Sequence, residues 1–233
     1  DQPYDSYASQ PPTFNRFEAE LAPYGTWHGT RAYGPVFVPR VDFSWWRPYS
    51  YGQWRYTNAG WTFASYDPFG WATFHYGRWV WMAGLGWAWI PGYQWAPAWV
   101  DWRYDDGYVA WAPLGPVGVS INYYAAPSLW IGVGLHDFRH RLDRHRFIST
   151  ERMRHVIYSP RYGHHRGHFD YRGPSRDYVA RRTGPVVVAP PSSRSVRTTP
   201  RYAPPARTAP PVRTAPQTRV APQMRVQTPP RQT

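Results

Sequence analysis

A four-residue pattern, Tyr-Gly-x-Trp, recurs three times: at Tyr24 to Trp27, Tyr51 to Trp54 and Tyr76 to Trp79. The copies lie 27 and 25 residues apart, and a period of that length marks one supersecondary unit that buries its apolar face only by stacking on its neighbours. Each copy is followed by a second aromatic or apolar element: Gly34-Pro35-Val36-Phe37-Val38-Pro39, Gly60-Trp61-Thr62-Phe63 and Gly86-Trp87-Ala88-Trp89-Ile90-Pro91. A final Gly107-Tyr108-Val109-Ala110-Trp111-Ala112-Pro113 repeats the second half alone.

The units read as β-hairpins. Trp79 and Trp81 alternate at period two, as do Trp87 and Trp89. A three-residue turn at Ala83-Gly84-Leu85 sets Trp81 opposite Trp87 and Trp79 opposite Trp89. A turn at Asn58-Ala59 sets Tyr56 against Trp61 and Trp54 against Phe63. Asp106-Gly107 is a strong two-residue turn signal and sets Trp102 against Trp111. Opposed aromatic pairs contribute roughly 0.2–1 kcal/mol each beyond an Ala pair. Prolines 39, 91, 97 and 113 fall where strands end, as the missing ladder donor requires. These features predict an all-β fold, an antiparallel meander or small open barrel of aromatic hairpins.

The core must be aromatic. All 15 Trp lie between Trp27 and Trp130, with 19 Tyr and 10 Phe in the chain, and each large ring buries roughly 150–250 Å². The same rings can equally form a binding surface, and the sequence does not apportion them. Four domains or segments are expected: an extended N-terminal arm over 1–20, a Trp-rich β-domain over 21–135, an Arg/His-rich region with a short helix over 136–184, and an extended Pro/Arg-rich tail over 185–233. Within 117–135 one more strand or a returning loop is expected. The short helix is expected over Ser175 to Thr183, capped by Ser175 and ended by Gly184.

Charge adds a second constraint. The net charge is +13, from 27 Arg and no Lys against 14 acids. A basic balance implies anionic partners, and arginine suits planar, bidentate recognition of carboxylate or phosphate. In the tail, Arg201, Arg207, Arg213, Arg219, Arg225 and Arg231 recur every six residues, with Pro204, Pro210, Pro216 and Pro222 in the same step. In polyproline II, six residues are two turns, so these arginines fall on one side, about 19 Å apart.

The stretches "DPFGWATFHYGRWVW", "GWAWIPGYQWAPAWVDWR" and "DGYVAWAPLGP", between Tyr66 and Pro116, resemble an uncharacterised Trp-rich domain family. Its members occur in predicted secreted proteins of Gram-negative bacteria, some with a FecR-type domain. "YRGPSRDYVARRTG" (Tyr171 to Gly184) is similar to the segment that closes many of them. The resemblance covers about residues 20–188 and implies export and an all-β domain; it implies no activity, ligand or catalytic residue. The chain departs from its relatives in the middle, where Arg and His replace Asn and Val.

Candidate chemistry is sparse. There is no Cys, which excludes disulfides and thiolate metal sites. His136 and His140, with Asp137 and Asp143, and His164, His165 and His168 beside Asp170, have partial metal-ligand spacing. Arg139, Arg141, Arg144 and Arg146 surround the first group and oppose a dication. No paired-carboxylate, nucleophile-elbow or phosphate-loop pattern accompanies Glu18, Glu20, Asp67, Asp101 or His75. No enzyme activity, cofactor or metal is therefore expected. No apolar run approaches the ~20 residues that span a bilayer, and a start at Asp1 is expected to follow signal-peptide removal, placing the chain in the periplasm or outside the cell.

These observations predict a non-enzymatic structural or scaffold protein of the bacterial envelope or extracellular space. Its arginine ladder, Arg201 to Arg231, is expected to bind an acidic protein surface or the repeated subunits of an assembly. The alternative is a module for glycan, lipopolysaccharide or another anionic polymer, with Trp79, Trp81, Trp87 and Trp89 as stacking candidates. Export argues against nucleic acid.

Overall fold

The computed structural model describes residues 12–116, 127–158 and 173–190. Four hairpins follow in chain order: β1 (Gly25–Thr30) with β2 (Gly34–Pro39), β3 (Gly52–Thr57) with β4 (Gly60–Ser65), β5 (Arg78–Met82) with β6 (Gly86–Ile90), and β7 (Val100–Tyr104) with β8 (Tyr108–Pro113). A ninth strand, β9 (Ile131–Gly134), pairs with β8. The helices are short: α1 (Phe14–Leu21), α2 (Gly70–Thr73), α3 (Thr150–Tyr158) and α4 (Arg176–Thr183).

The predicted registers are the ones formed. Trp79 faces Trp89 and Trp81 faces Trp87. Trp54 faces Phe63 and Tyr56 faces Trp61. Trp102 faces Trp111, and in the first hairpin Trp27 faces Phe37. The tryptophan of each Tyr-Gly-x-Trp copy is thus one half of a cross-strand aromatic pair. The glycine of each copy has a steric reason. A Cβ at Gly25, Gly52 or Gly77 would stand 2.3, 2.6 or 2.1 Å from a carbonyl oxygen of the partner segment, those of Val38, Ala64 and Ile90.

All strand pairing is antiparallel, and among the described residues the strands form three open sheets that do not close into a barrel. The first and third hairpins join as β1-β2-β6-β5 through Phe37 opposite Trp89. β3-β4 stands alone, and β7-β8-β9 forms the third sheet. Trp54 ties the second sheet to the third: its ring lies 5.0 Å from Phe63, 4.5 Å from Trp102 and 5.4 Å from Trp111. The third sheet is buried on both faces. Trp102 and Trp111 face the main core, and Ala110 and Ala112 face Trp130, Met153, Val156 and Ile157.

The structure differs from the expected segment plan at both ends. The N-terminal arm expected over 1–20 is not extended throughout: Phe14–Leu21 is helical. Thr13 Oγ1 caps it by accepting from Arg16 N–H, and Phe17 and Leu21, four residues apart, enter the core together. The described parts of the 136–184 region, 136–158 and 173–184, are built into the domain. Phe138 packs 4.5 Å from Trp61, Leu142 is fully buried, and α3 covers the third sheet. α4 forms where expected: Ser175 Oγ accepts from Tyr178 N–H, and Gly184 takes a positive φ of 85°. The chain beyond it does not leave the domain at residue 185, because Val186 is buried and Ala189 N–H donates to Tyr56 O at 2.7 Å. The six ladder arginines lie outside the described residues.

A Gly77→Ala substitution must move Ile90 O and adopt φ near +66°. It should cost about 2–4 kcal/mol of stability in urea titration. Gly29→Ala in β1, with open space around the new methyl, should change stability by less than about 0.5 kcal/mol.

Candidate functional site

The turn that follows α2 organises one surface of the protein. A helix end leaves its last carbonyls without intrahelical donors. Here four in succession are satisfied by aromatic side chains: Thr73 O accepts from Trp79 Nε1–H at 2.9 Å, Phe74 O from Tyr49 Oη–H at 3.1 Å, His75 O from Trp99 Nε1–H at 3.0 Å, and Tyr76 O from Trp89 Nε1–H at 2.7 Å. The donors come from the third hairpin and from the segments that lead into the second and fourth.

The loop between β6 and β7 is fastened to this turn. Ala96 N–H donates to His75 O at 2.9 Å, and His75 Nδ1–H donates back to Ala96 O at 3.0 Å. That bond leaves the imidazole Nε2 without a proton in the neutral ring. The Trp95 ring lies parallel over His75, with centroids 5.7 Å apart and planes 15° apart. Tyr93, two residues earlier, stacks on buried Phe17 of α1 at 6.1 Å. Phe17 also touches Trp71 at 5.9 Å and Tyr76 at 5.8 Å, both half-buried, and the Arg16 guanidinium lies 5.0 Å from the Trp71 ring. The outcome is an aromatic platform. Tyr93 is 51% and Trp95 48% exposed, and each is held from behind by a ring that the core fixes.

The four predicted stacking tryptophans fare differently. Trp79, Trp87 and Trp89 are buried, so they belong to the core and not, as expected, to a stacking surface. The reason is physical: the fold uses the Trp79 and Trp89 N–H groups as donors to Thr73 and Tyr76, and Trp87 packs under Trp81 at 5.8 Å. Trp81 alone of the four is exposed, at 55%, beside Phe43 near the hairpin turn. Tyr93 and Trp95 were missed. The signal was available: they sit between Pro91 and Pro97, where strand pairing stops and no cross-strand partner waits for them.

The remaining candidates do not converge. His136 and His140 are exposed, and among the described residues no group of three His, Asp or Glu is placed to hold a metal ion. His164, His165, His168 and Asp170 lie outside the described residues. Asp101 is buried in an ion pair with Arg103 at 2.8 Å, and Glu20 pairs with Arg16 at 2.9 Å.

Fold and site together define an open all-β domain of aromatic hairpins that displays aromatic rings on a fixed loop. Residues 18–118 match a family of unknown function (DUF6600), a stretch that holds the four hairpins and the platform. No curated protein and no solved structure matches the chain.

Two groups, buried Asp67 and the part-buried His75 beneath Trp95, titrate away from their ordinary values. Asp67 accepts from Trp46 Nε1–H at 3.3 Å and from Ser65 Oγ–H at 3.4 Å, but burial dominates and pushes its carboxyl up to about 7. Burial lowers the His75 pKa, against the raising effect of its bonds to Ala96 and Pro97. The two effects oppose one another. Between 3.8 and about 7 the native state holds a proton on Asp67 that the unfolded chain lacks, so this contribution is full at low pH and is lost as pH rises through 7. Below 6.5 the unfolded chain protonates His75 before the native state does, so that contribution is lost as pH falls. Asp67→Asn removes the first effect only. Relative to the parent protein, the variant should therefore be more stable at pH 8 than at pH 5 by roughly 2–3 kcal/mol in urea titrations.

Proposed function

We propose that this chain is a non-enzymatic structural protein of the bacterial envelope or extracellular space, and that its folded domain attaches to a neutral glycan through Tyr93 and Trp95. The observation that carries the proposal is the fixed placement of these two rings. Both are half exposed, both stack on a ring behind them, and their loop is hydrogen-bonded in both directions to His75. Pyranose rings present flat C–H faces that stack on aromatic rings, and a surface ordered before binding loses little entropy on contact. Trp71 and Tyr76 widen the platform, and Gln94, exposed between the two rings, offers an amide for hydroxyl groups.

In the same proposal the arginine ladder is the second attachment, to an acidic protein face or the repeated subunits of an assembly. Six sites on one strand gain from effective concentration when their step matches the partner's. Residues 12–116, in contrast, hold seven Arg and seven acids, so the platform is not carried by a net charge of its own. Among the described residues no helix is long and apolar enough to cross a membrane.

The test is co-sedimentation of the full chain with two insoluble neutral glycans, chitin and a β-glucan. Binding to at least one is expected, with Tyr93→Ala and Trp95→Ala each weakening it about tenfold, the value of one aromatic contact of ~1.4 kcal/mol. Full binding by both variants, or binding to neither polymer, would sink the platform reading. The ladder is tested separately on whole envelopes. Trypsin should cut after Arg201 to Arg225 more slowly in envelope-bound protein than in purified protein, and equal rates would remove the ladder from the proposal.

A further inference from the structure

A second surface combines aromatic rings with a cation that has no carboxylate partner among the described residues. Arg141 is exposed, and its guanidinium lies 5.1 Å from the Tyr66 ring centroid and 5.8 Å from that of Tyr51. Its Nη2–H reaches toward Tyr51 Oη at 3.5 Å. The two tyrosines meet edge to face at 5.4 Å, and Trp45 meets Tyr51 edge to face at 6.3 Å. All three rings are half-buried, so each shows part of its surface to solvent.

The backbone under Arg141 is clamped on both sides. Leu142 is fully buried and its N–H donates to Gly52 O at 2.8 Å. Gln53 Nε2–H donates to Arg139 O at 2.7 Å, and Gln53 Oε1 accepts from Tyr66 Oη–H at 3.5 Å. Arg141 is therefore carried at a fixed point on the edge of β3. The fold finds acids for other arginines: Glu20 for Arg16, Asp101 for Arg103, Asp137 for Arg146 and Asp106 for Arg182. Among the described residues none pairs with Arg141. Its segment, 127–158, holds six arginines against three acids, so no local excess of carboxylate competes for it.

We infer that Arg141, with Tyr51, Tyr66 and Trp45, is a binding site for an acidic sugar, its guanidinium taking the carboxylate and its rings taking the apolar face of the pyranose. A guanidinium stacked on rings keeps its outward N–H edge, and that planar fork matches a carboxylate in two parallel bonds. Stacking also fixes the side chain before the ligand arrives, which reduces the entropy lost on binding. This site lies on different residues from the Tyr93–Trp95 platform and stands without it.

The experiment is titration of the full chain with trigalacturonate at 0.15 M salt, followed by affinity and by the ring resonances of labelled tyrosine. A fully methyl-esterified trigalacturonate is the comparison, because it has the same sugar face with the charge masked. The expected results are perturbed Tyr51 and Tyr66 resonances and about tenfold weaker binding of the ester. Arg141→Ala should lose about tenfold, and Arg141→Lys should recover only part of that loss because it keeps the charge without the fork. Arg144→Ala, which removes an exposed arginine of the same segment outside the ring cluster, should bind as the parent does. Equal affinity for acid and ester, or losses in Arg144→Ala equal to those in Arg141→Ala, would overturn the site in favour of general attraction to a basic protein.

Discussion

Four consecutive carbonyls, from Thr73 to Tyr76, depend on aromatic side chains for their hydrogen bonds, and the relative placement of three hairpins depends on that in turn. Buried polar groups without partners are costly, and indole and phenol groups are large rings that each carry one donor. Placing Trp79, Trp89, Trp99 and Tyr49 around the end of α2 answers both needs at once. It buries the rings and satisfies a turn that has no helix or ladder to complete it. Tyr49 is the tightest case. It holds a positive φ of 65°, stacks near-parallel with Trp54, donates to Phe74 O and accepts from Trp99 N–H. Burial raises its pKa, so it stays a donor.

The same economy recurs elsewhere in the core, although Trp54 and Trp102 are buried by ring packing alone. Trp46 donates to Asp67, Trp61 to Pro174 O and Trp111 to Tyr49 O, and these three are buried like Trp79 and Trp89, while Trp99 is half-buried. Among the rings left for solvent are Tyr93 and Trp95, between two prolines where the chain has stopped pairing, and Trp81, on a strand face with no covering layer; Tyr24 and Tyr158 are exposed as well. Edge-to-face contacts dominate the packing between these rings, as the quadrupole of each aromatic face favours. Such a core is rigid, which is why its surface rings are held at fixed positions.

Much of the hairpin architecture was legible because its causes are local. Turn chemistry at Asn58-Ala59, Ala83-Gly84-Leu85 and Asp106-Gly107 sets each register, and period-two aromatics confirm it within about ten residues. α4 was legible for the same reason, through Ser175 and Gly184. α1 and α3 were not read, although Phe17 and Leu21, and Met153, Val156 and Ile157, carry helical spacing. Polar and basic neighbours masked these short apolar faces, and both helices exist because a sheet or an aromatic cluster offers them something to cover. The candidate site was legible only as a class of residue. Which rings are exposed depends on what lies above each strand.

By itself, the sequence determined the strands, their pairing within hairpins and the glycines that let partner segments approach, because all of these follow from contacts a few residues apart. It also determined the positive balance and the six-residue arginine ladder. Only the tertiary structure decided that the first and third hairpins share a sheet through Phe37 and Trp89, that Asp67 is sealed from water, and that Tyr93, Trp95 and Arg141 face outward while Trp79, Trp87 and Trp89 do not. Identical residue types in identical local patterns were divided between core and surface by packing across distances that no local pattern encodes.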